Sequence, residues 1–262
     1  MSPVLQVQNL SQNYGGVQAL KAVNFELKVG QCVAMIGPNG AGKSTCFACL
    51  AGQQKPAEGE IRWRGKVLAN LPPHVRKQGG VARTFQVAQV FEALTVLQNL
   101  QLVLKASVGV SVFDSLDRCF VKEAHEWADK MALNEGGSKT LDAPASDLSY
   151  GGKKRLELAM AMAGLPDAQA GLLLLDEPAA GLSPSERADM MLRVKALALQ
   201  GTTVLYTEHN MDAVFGVADW VLVLIGGQLV AQGLPHEVAA HPLVREKYLG
   251  QSFVFNQGAP YA

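Results

Sequence analysis

The sequence predicts an α/β protein built on a parallel sheet between helix layers, and three observations carry that prediction. Four short runs, "CVAMIG", "GLLLLDE", "TTVLYTE" and "WVLVLI", are apolar at almost every position, as strands covered on both faces are. Helical patterns follow the first three, the alternation that a parallel sheet needs. The first thirty residues instead alternate ("VLQVQNL", "VNFEL"), which predicts strands of a half-exposed antiparallel sheet. A chain of 262 residues buries roughly three quarters of its unfolded surface, enough for a large core with an inserted lobe.

The elements follow in order. "CVAMIG" runs into "GPNGAGKST" at 37–45 and then a helix, "KSTCFACLAG". Cys46 and Cys49 form a C-x-x-C on that helix. The spacing also fits a redox or metal pair, but no second pair or nearby histidine completes a zinc site. Small core side chains at i and i+3 are the reading adopted. From 88 to 162 the texture turns helical. "TVLQNLQLVLK" starts with a Thr-x-x-Gln box and puts Val96, Leu97, Leu100, Val103 and Leu104 on one side. "CFVKEAHEWADKMAL" does the same with Val121, Ala124, Ala128 and Met131, and "ASVGVSVFDSLD" between them reads as a loop.

"LSYGGKKRLELAMA" at 148–161 begins with Ser149 as a cap, and Gly151 and Gly152 bare the N–H groups of a helix start. Such a terminus is a seat for an anion. Its apolar stripe is Leu156, Ala159, Met160 and Ala163, with Gly164 and Pro166 closing it, and "KKR" at 153–155 is expected on the solvated face. The helix after "LLLLDEP" has Ser183 as cap, Pro184 at its first position and Glu186 to complete a capping box. "WVLVLIGGQLVAQGLP" reads as strand, turn, strand, followed by two short helical pieces and an apolar tail, "FVFNQGAPYA".

Bulk properties exclude several classes. The 23 basic and 23 acidic residues balance to zero formal charge, which argues against a general nucleic-acid binder. Four cysteines (Cys32, Cys46, Cys49, Cys119) are too few for a disulfide framework and suit a reducing cytoplasm. "MSPVLQVQNL" lacks the basic start and apolar core of a signal peptide. No stretch reaches the ~18 consecutive apolar residues of a membrane helix, so membrane association is expected through a partner.

Two segments carry chemistry. "GPNGAGKS" fits G-x-x-x-x-G-K-S between a strand and a helix, the context that makes the pattern a phosphate loop. Gly37, Gly40 and Gly42 let backbone N–H groups face the phosphates, with Pro38, Asn39, Ala41 and Thr45 completing the loop. Lys43 reaches the terminal phosphates, and the Ser44 hydroxyl takes Mg²⁺. In "LLLLDEP", Asp176 emerges at the carboxyl end of a buried strand, where α/β sheets bind ligands, and completes the Mg²⁺ shell. Glu177 accepts a proton from the attacking water. Together they indicate nucleoside-triphosphate hydrolysis.

"GPNGAGKST", "TFQ", "LSYGGKKRLELAMA", "LLLLDEPAAGL" and "TEH", in that order, resemble the ATP-binding subunits of ABC transporters over nearly the whole chain. The resemblance implies a P-loop NTPase (RecA-like) core over 1–87 and 163–232, with an N-terminal antiparallel β subdomain. It also implies an inserted helical subdomain over 88–162 and a C-terminal extension over 233–262. It explains why one chain carries two anion seats. Two such subunits stack head to tail, and the signature residues Ser149, Tyr150, Gly151 and Gly152 of one face the ATP of the other. It further implies Gln86 as the loop glutamine that senses Mg²⁺ and water, His209 as the switch histidine at the γ-phosphate, and Tyr14 as the aromatic on adenine.

Three positions depart from the family. Tyr150 replaces glycine, Gly152 replaces glutamine, and Ser183 stands where aspartate is frequent. Tyr-Gly in the signature, "AAGLSP", "HNMDAVFGVADWVLVLIGGQLVAQG" and "HPLVREKYLG" look like the subunits that power branched-chain amino-acid uptake in bacteria. That branch implies a second ATP-binding subunit, alike or different, two integral-membrane permeases, and indirectly a periplasmic binding protein. The implied place is the cytoplasmic face of the inner membrane, with "VAQVFEALTV" lining a groove for the permease. Subunits powering transport of another solute (urea, amide) or lipid export, and non-transport ABC ATPases, are the alternatives.

Overall fold

The structure, a computed structural model, describes residues 2–68, 70–84, 86–109, 120–134, 140–250 and 253. The chain opens with two long strands, β1 (Leu5–Tyr14) and β2 (Val17–Leu27), paired antiparallel. Their alternation is interrupted at Asn9, which adopts a left-handed φ of 51° at a register shift, and Ser11 and Gln12 beyond it are buried. A β-bulge turns side chains to the other face in this way, so strict alternation reads only the first part of β1, from Leu5 to Gln8.

Next come β3 (Cys32–Ile36), α1 (Lys43–Ala51), β4 (Glu58–Trp63), β5 (Lys66–Val67), α2 (Pro73–Gln78) and β6 (Val81–Arg83). β4 and β5 complete an antiparallel sheet in the order β2-β1-β4-β5. The chain then leaves the sheets for α3 (Val96–Ser107), α4 (Val121–Lys130) and α5 (Tyr150–Ala163). It returns through β7 (Leu172–Asp176), α6 (Pro184–Leu199), β8 (Thr203–Thr207), α7 (Met211–Phe215), β9 (Trp220–Ile225) and β10 (Gln228–Gly233). Two short helices, α8 (Pro235–Ala240) and α9 (Pro242–Val244), and one π-helical turn (Arg245–Leu249) follow.

The central sheet has the order β10-β9-β3-β8-β7-β6. β9, β3, β8, β7 and β6 run parallel, and β10 is an antiparallel edge. The four apolar runs are β3, β7, β8 and β9, and the α/β class expected from them is the one observed. β6 escapes sequence reading because it has only three residues after Gly79 and Gly80.

Both capping boxes form. Thr95 accepts the Gln98 N–H while the Gln98 side chain takes the Thr95 N–H, and Ser183 and Glu186 do the same at α6. The segment 106–117 expected as a loop begins inside α3, since Ala106 and Ser107 finish that helix; residues 110–117 lie outside the described residues. Among the described residues no helix is long and apolar enough to cross a membrane.

Cys46 and Cys49 sit on α1 with no exposed surface, and Cys32 is equally buried in β3. Burial raises all three thiols, Cys32 to about 12 and Cys49 to about 11, and Cys46 as well. Above pH ~9 the unfolded chain releases these protons while the folded chain keeps them. Stability is therefore full below the ordinary thiol value and lost as pH climbs toward the folded values. Iodoacetamide at about pH 8 is expected to leave the three thiols unmodified in native protein and to label them in denaturant. Mass spectrometry checks this, and native labelling of Cys46 would contradict it.

Candidate active site

Loops that leave the carboxyl ends of β3, β6, β7 and β8 meet above the central sheet. After β3 the phosphate loop turns into α1. Gly37 has φ 148°, and a Cβ there would lie 2.0 Å from the carbonyl oxygen of Leu224. Gly40 has φ 77° but open space around it. Both positions exclude ordinary side chains, one by a backbone neighbour and one by conformation alone. Lys43, mostly buried, donates from Nζ to the carbonyls of Gly37 (2.6 Å) and Pro38 (3.1 Å). Burial lowers its pKa, against the opposing pull of Glu177 and Asp176.

Ala19, Asn39, Gly40, Ala41, Gly42, Lys43, Ser44, Thr45, Glu177 and His209 line one cleft of about 200 Å³. Glu177 stands at its edge in a left-handed backbone conformation, φ 50°. Its N–H donates to the carbonyl (3.2 Å) and hydroxyl (3.1 Å) oxygens of Thr207 on β8. Its carboxylate is held on both sides. Gln86 Nε2 donates to Oε2 at 3.1 Å, and His209 Nε2 lies 3.0 Å from Oε1. Asp176, one residue earlier, accepts from Arg83 Nη2 (2.9 Å) and Thr207 Oγ1 (2.8 Å).

Sequence reasoning passed over five residues in this region. Arg83 in "VARTFQ" also donates to Gln53 and lies over the Phe47 ring. Thr207 and Glu208 are the first two letters of "TEH". Glu208 is buried, accepts the Ala179 N–H at 2.8 Å and is pushed up by that burial. Tyr248, in the last turn, lies near the Gly37 backbone, and burial raises its phenol. Lys154 corrects the expectation that 153–155 is a solvated face. Its side chain is only 2% exposed, and Nζ donates to the Gln86 carbonyl at 2.6 Å. Charge spacing predicts solvation, but α5 packs that position against the Gln86 loop.

The remaining sites stand apart. Tyr14 ends β1 with about half its surface exposed, opposite Val17, and is not among the residues lining the cleft. Ser149 caps α5 by accepting the Gly152 N–H at 3.1 Å. Ser149, Tyr150, Gly151 and Gly152 also do not line this chain's own cleft. A Cβ placed on Gly181 would lie 3.1 Å from the ring of Tyr150, so that tyrosine packs on the loop after Pro178.

Residues 20–180 match the family model described as "ABC transporter". The chain belongs to the ABC transporter family. It is 35% identical to the high-affinity branched-chain amino acid transport ATP-binding protein BraF of Pseudomonas aeruginosa, covering 95% of this chain and 99% of that one. The LivG protein of the same description from Escherichia coli is 35% identical over the same shares. Among solved structures, the ADP conformation of MJ1267, an ATP-binding cassette of an ABC transporter, superposes with a TM-score of 0.82 at 28% identity. It covers 96% of this chain and 100% of that one.

The two phosphate-loop glycines separate by mechanism. Gly40→Ala is expected to cost about 1–2 kcal/mol through left-handed strain alone. Gly37→Ala is expected to cost more, because a backbone carbonyl must move. Thermal melts of the two variants check the order.

Proposed function

We propose that this chain is the ATP-hydrolysing subunit of an ABC importer for branched-chain or other small amino acids. The observation that carries the reading is the Glu177 carboxylate, held by Gln86 and His209 beside the Lys43 cleft. Phosphoryl transfer needs little covalent help from protein, so positioning and charge do most of it. Gly37–Thr45 cradle the phosphates with backbone N–H groups, and Lys43 leaves its loop carbonyls for the terminal phosphates. Glu177 takes the proton of the attacking water, His209 fixes the carboxylate and touches the γ-phosphate, and Tyr14 supports adenine.

The donor set fits Mg²⁺. The Ser44 hydroxyl, the Asp176 carboxylate and the Gln86 amide oxygen, all hard oxygens, are the residues that would hold the ion. Bound there, the ion would neutralise charge developing on the phosphates. Arg83 and Thr207 keep the Asp176 carboxylate in place, from where it would meet such an ion directly or through water.

The signature residues serve a second subunit. Ser149, Gly151 and Gly152 open a fourteen-residue helix away from their own cleft, so the phosphate they seat belongs to a partner's ATP. The chain then works as a dimer at the cytoplasmic face of a membrane, with permeases and a periplasmic binding protein supplying the solute path. Val87 and Phe91, exposed by 65% and 52%, give the Gln86 loop an apolar face for a permease helix. The solute class is supported by the relatives BraF and LivG, both branched-chain amino acid transport ATP-binding proteins.

Glu177→Gln keeps the shape and loses the base. It is expected to bind ATP like the parent and to turn over ~10²–10⁴-fold more slowly. Steady-state phosphate release together with equilibrium ATP binding checks this, and near-normal turnover would remove Glu177 from the role of base.

A further inference from the structure

Lys154 is a cation with almost no exposed surface, and its burial is a cost that something must offset. Part of the offset is the hydrogen bond to the Gln86 carbonyl, and part is Glu157 on the same helix, 4.0 Å away. The Asp176, Glu177 and Glu208 carboxylates lie within electrostatic reach as well. Lys154 is on α5, whose first turn carries Ser149, Gly151 and Gly152. Its other end of contact, Gln86, grips Glu177 through its side chain. The path from the helix start to the carboxylate therefore runs through one lysine and one glutamine, with no gap longer than a hydrogen bond.

We infer that Lys154 is a positioning residue that ties α5 to Gln86, so that the seating of a partner's phosphate on α5 sets the placement of Glu177. The inference rests on the proposed function for the role of the α5 terminus and of Glu177. An α-helix moves as a rigid rod over this length, so a shift at Ser149 reaches Lys154 undiminished. Gln86 sits in a connection outside any helix or strand, and the Lys154 Nζ bond fixes its backbone. Without the ammonium, Gln86 keeps its chemistry but loses its anchor. Lys154 touches neither nucleotide nor water in this account.

The test is a double-variant cycle on the full chain with Mg²⁺ and ATP. Lys154→Met is expected to lower kcat by ~10-fold to ~10²-fold, the cost of a misplacement near 1 Å. ATP affinity is expected to stay within about twofold of the parent. Lys154→Arg, which keeps the donor, is expected to recover most of kcat. In a Gln86→Ala background, Lys154→Met is expected to add less than about a twofold loss, since the residue acts through Gln86. Equal losses in both backgrounds, or no loss in either, would overturn the inference.

Amide exchange over residues 86–91 in nucleotide-free protein is the readout that needs no turnover. Lys154→Met is expected to speed it while residues 37–45 exchange as before; unchanged exchange over 86–91 would overturn the anchor. Should Glu177→Gln hydrolyse ATP normally, the reading of Glu177 falls, while the exchange result still judges the Lys154–Gln86 tie.

Discussion

The parallel register of β3, β8 and β7 is the constraint on which the site depends. Met35 pairs with Thr207, and Thr207 pairs with Asp176, so the three residues form one row across three adjacent strands. Gly37 follows that row by two residues, Glu177 by one and His209 by two. Backbone hydrogen bonding alone thus brings the phosphate loop, the carboxylate and the histidine together. A one-residue slip of β7 would send Asp176 and Glu177 to opposite faces from those they occupy. Such a slip would also carry Gly171 or Asp176 into a buried leucine site of β7, leaving a void or an unpaired carboxylate in the core.

On that row the turn after β7 is held under strain. Glu177 takes a left-handed conformation that a non-glycine residue adopts at a cost of about 1–3 kcal/mol. Two bonds from Thr207 to its N–H offset the cost, and Glu208 holds the Ala179 N–H two residues on. Strand β8 therefore fixes both the direction of the Glu177 side chain and the path of the chain toward Ser183. The carboxylate is then presented between Gln86 and His209 rather than toward Arg83, which is occupied by Asp176.

Much of this was legible in the sequence, and the reasons are specific. β3, β7, β8 and β9 announce themselves because burial on both faces leaves no polar position. The capping boxes at Thr95 and Ser183 are local and form as written. Lys154 was misread because a run of three cations on a helix is ordinarily solvated. Only the packing of α5 against a distant loop, 68 residues away in sequence, buries its middle member. Tyr248 near Gly37 is illegible for the same reason, since the two are joined by the return of the chain's last turn. Arg83 was hidden by the shortness of β6. What sequence reads well is local periodicity and motif order; what it misses is side-chain pairing across long separations.

The central claim is that one chain carries two halves of two different sites, with its own cleft served by a partner's α5. Sedimentation of Glu177→Gln with and without ATP tests it most directly. The account predicts a dimer that appears only with ATP and disappears when Ser149→Arg is added, or the same behaviour with the second ATP-binding subunit present. An ATP-induced dimer untouched by Ser149→Arg would contradict it.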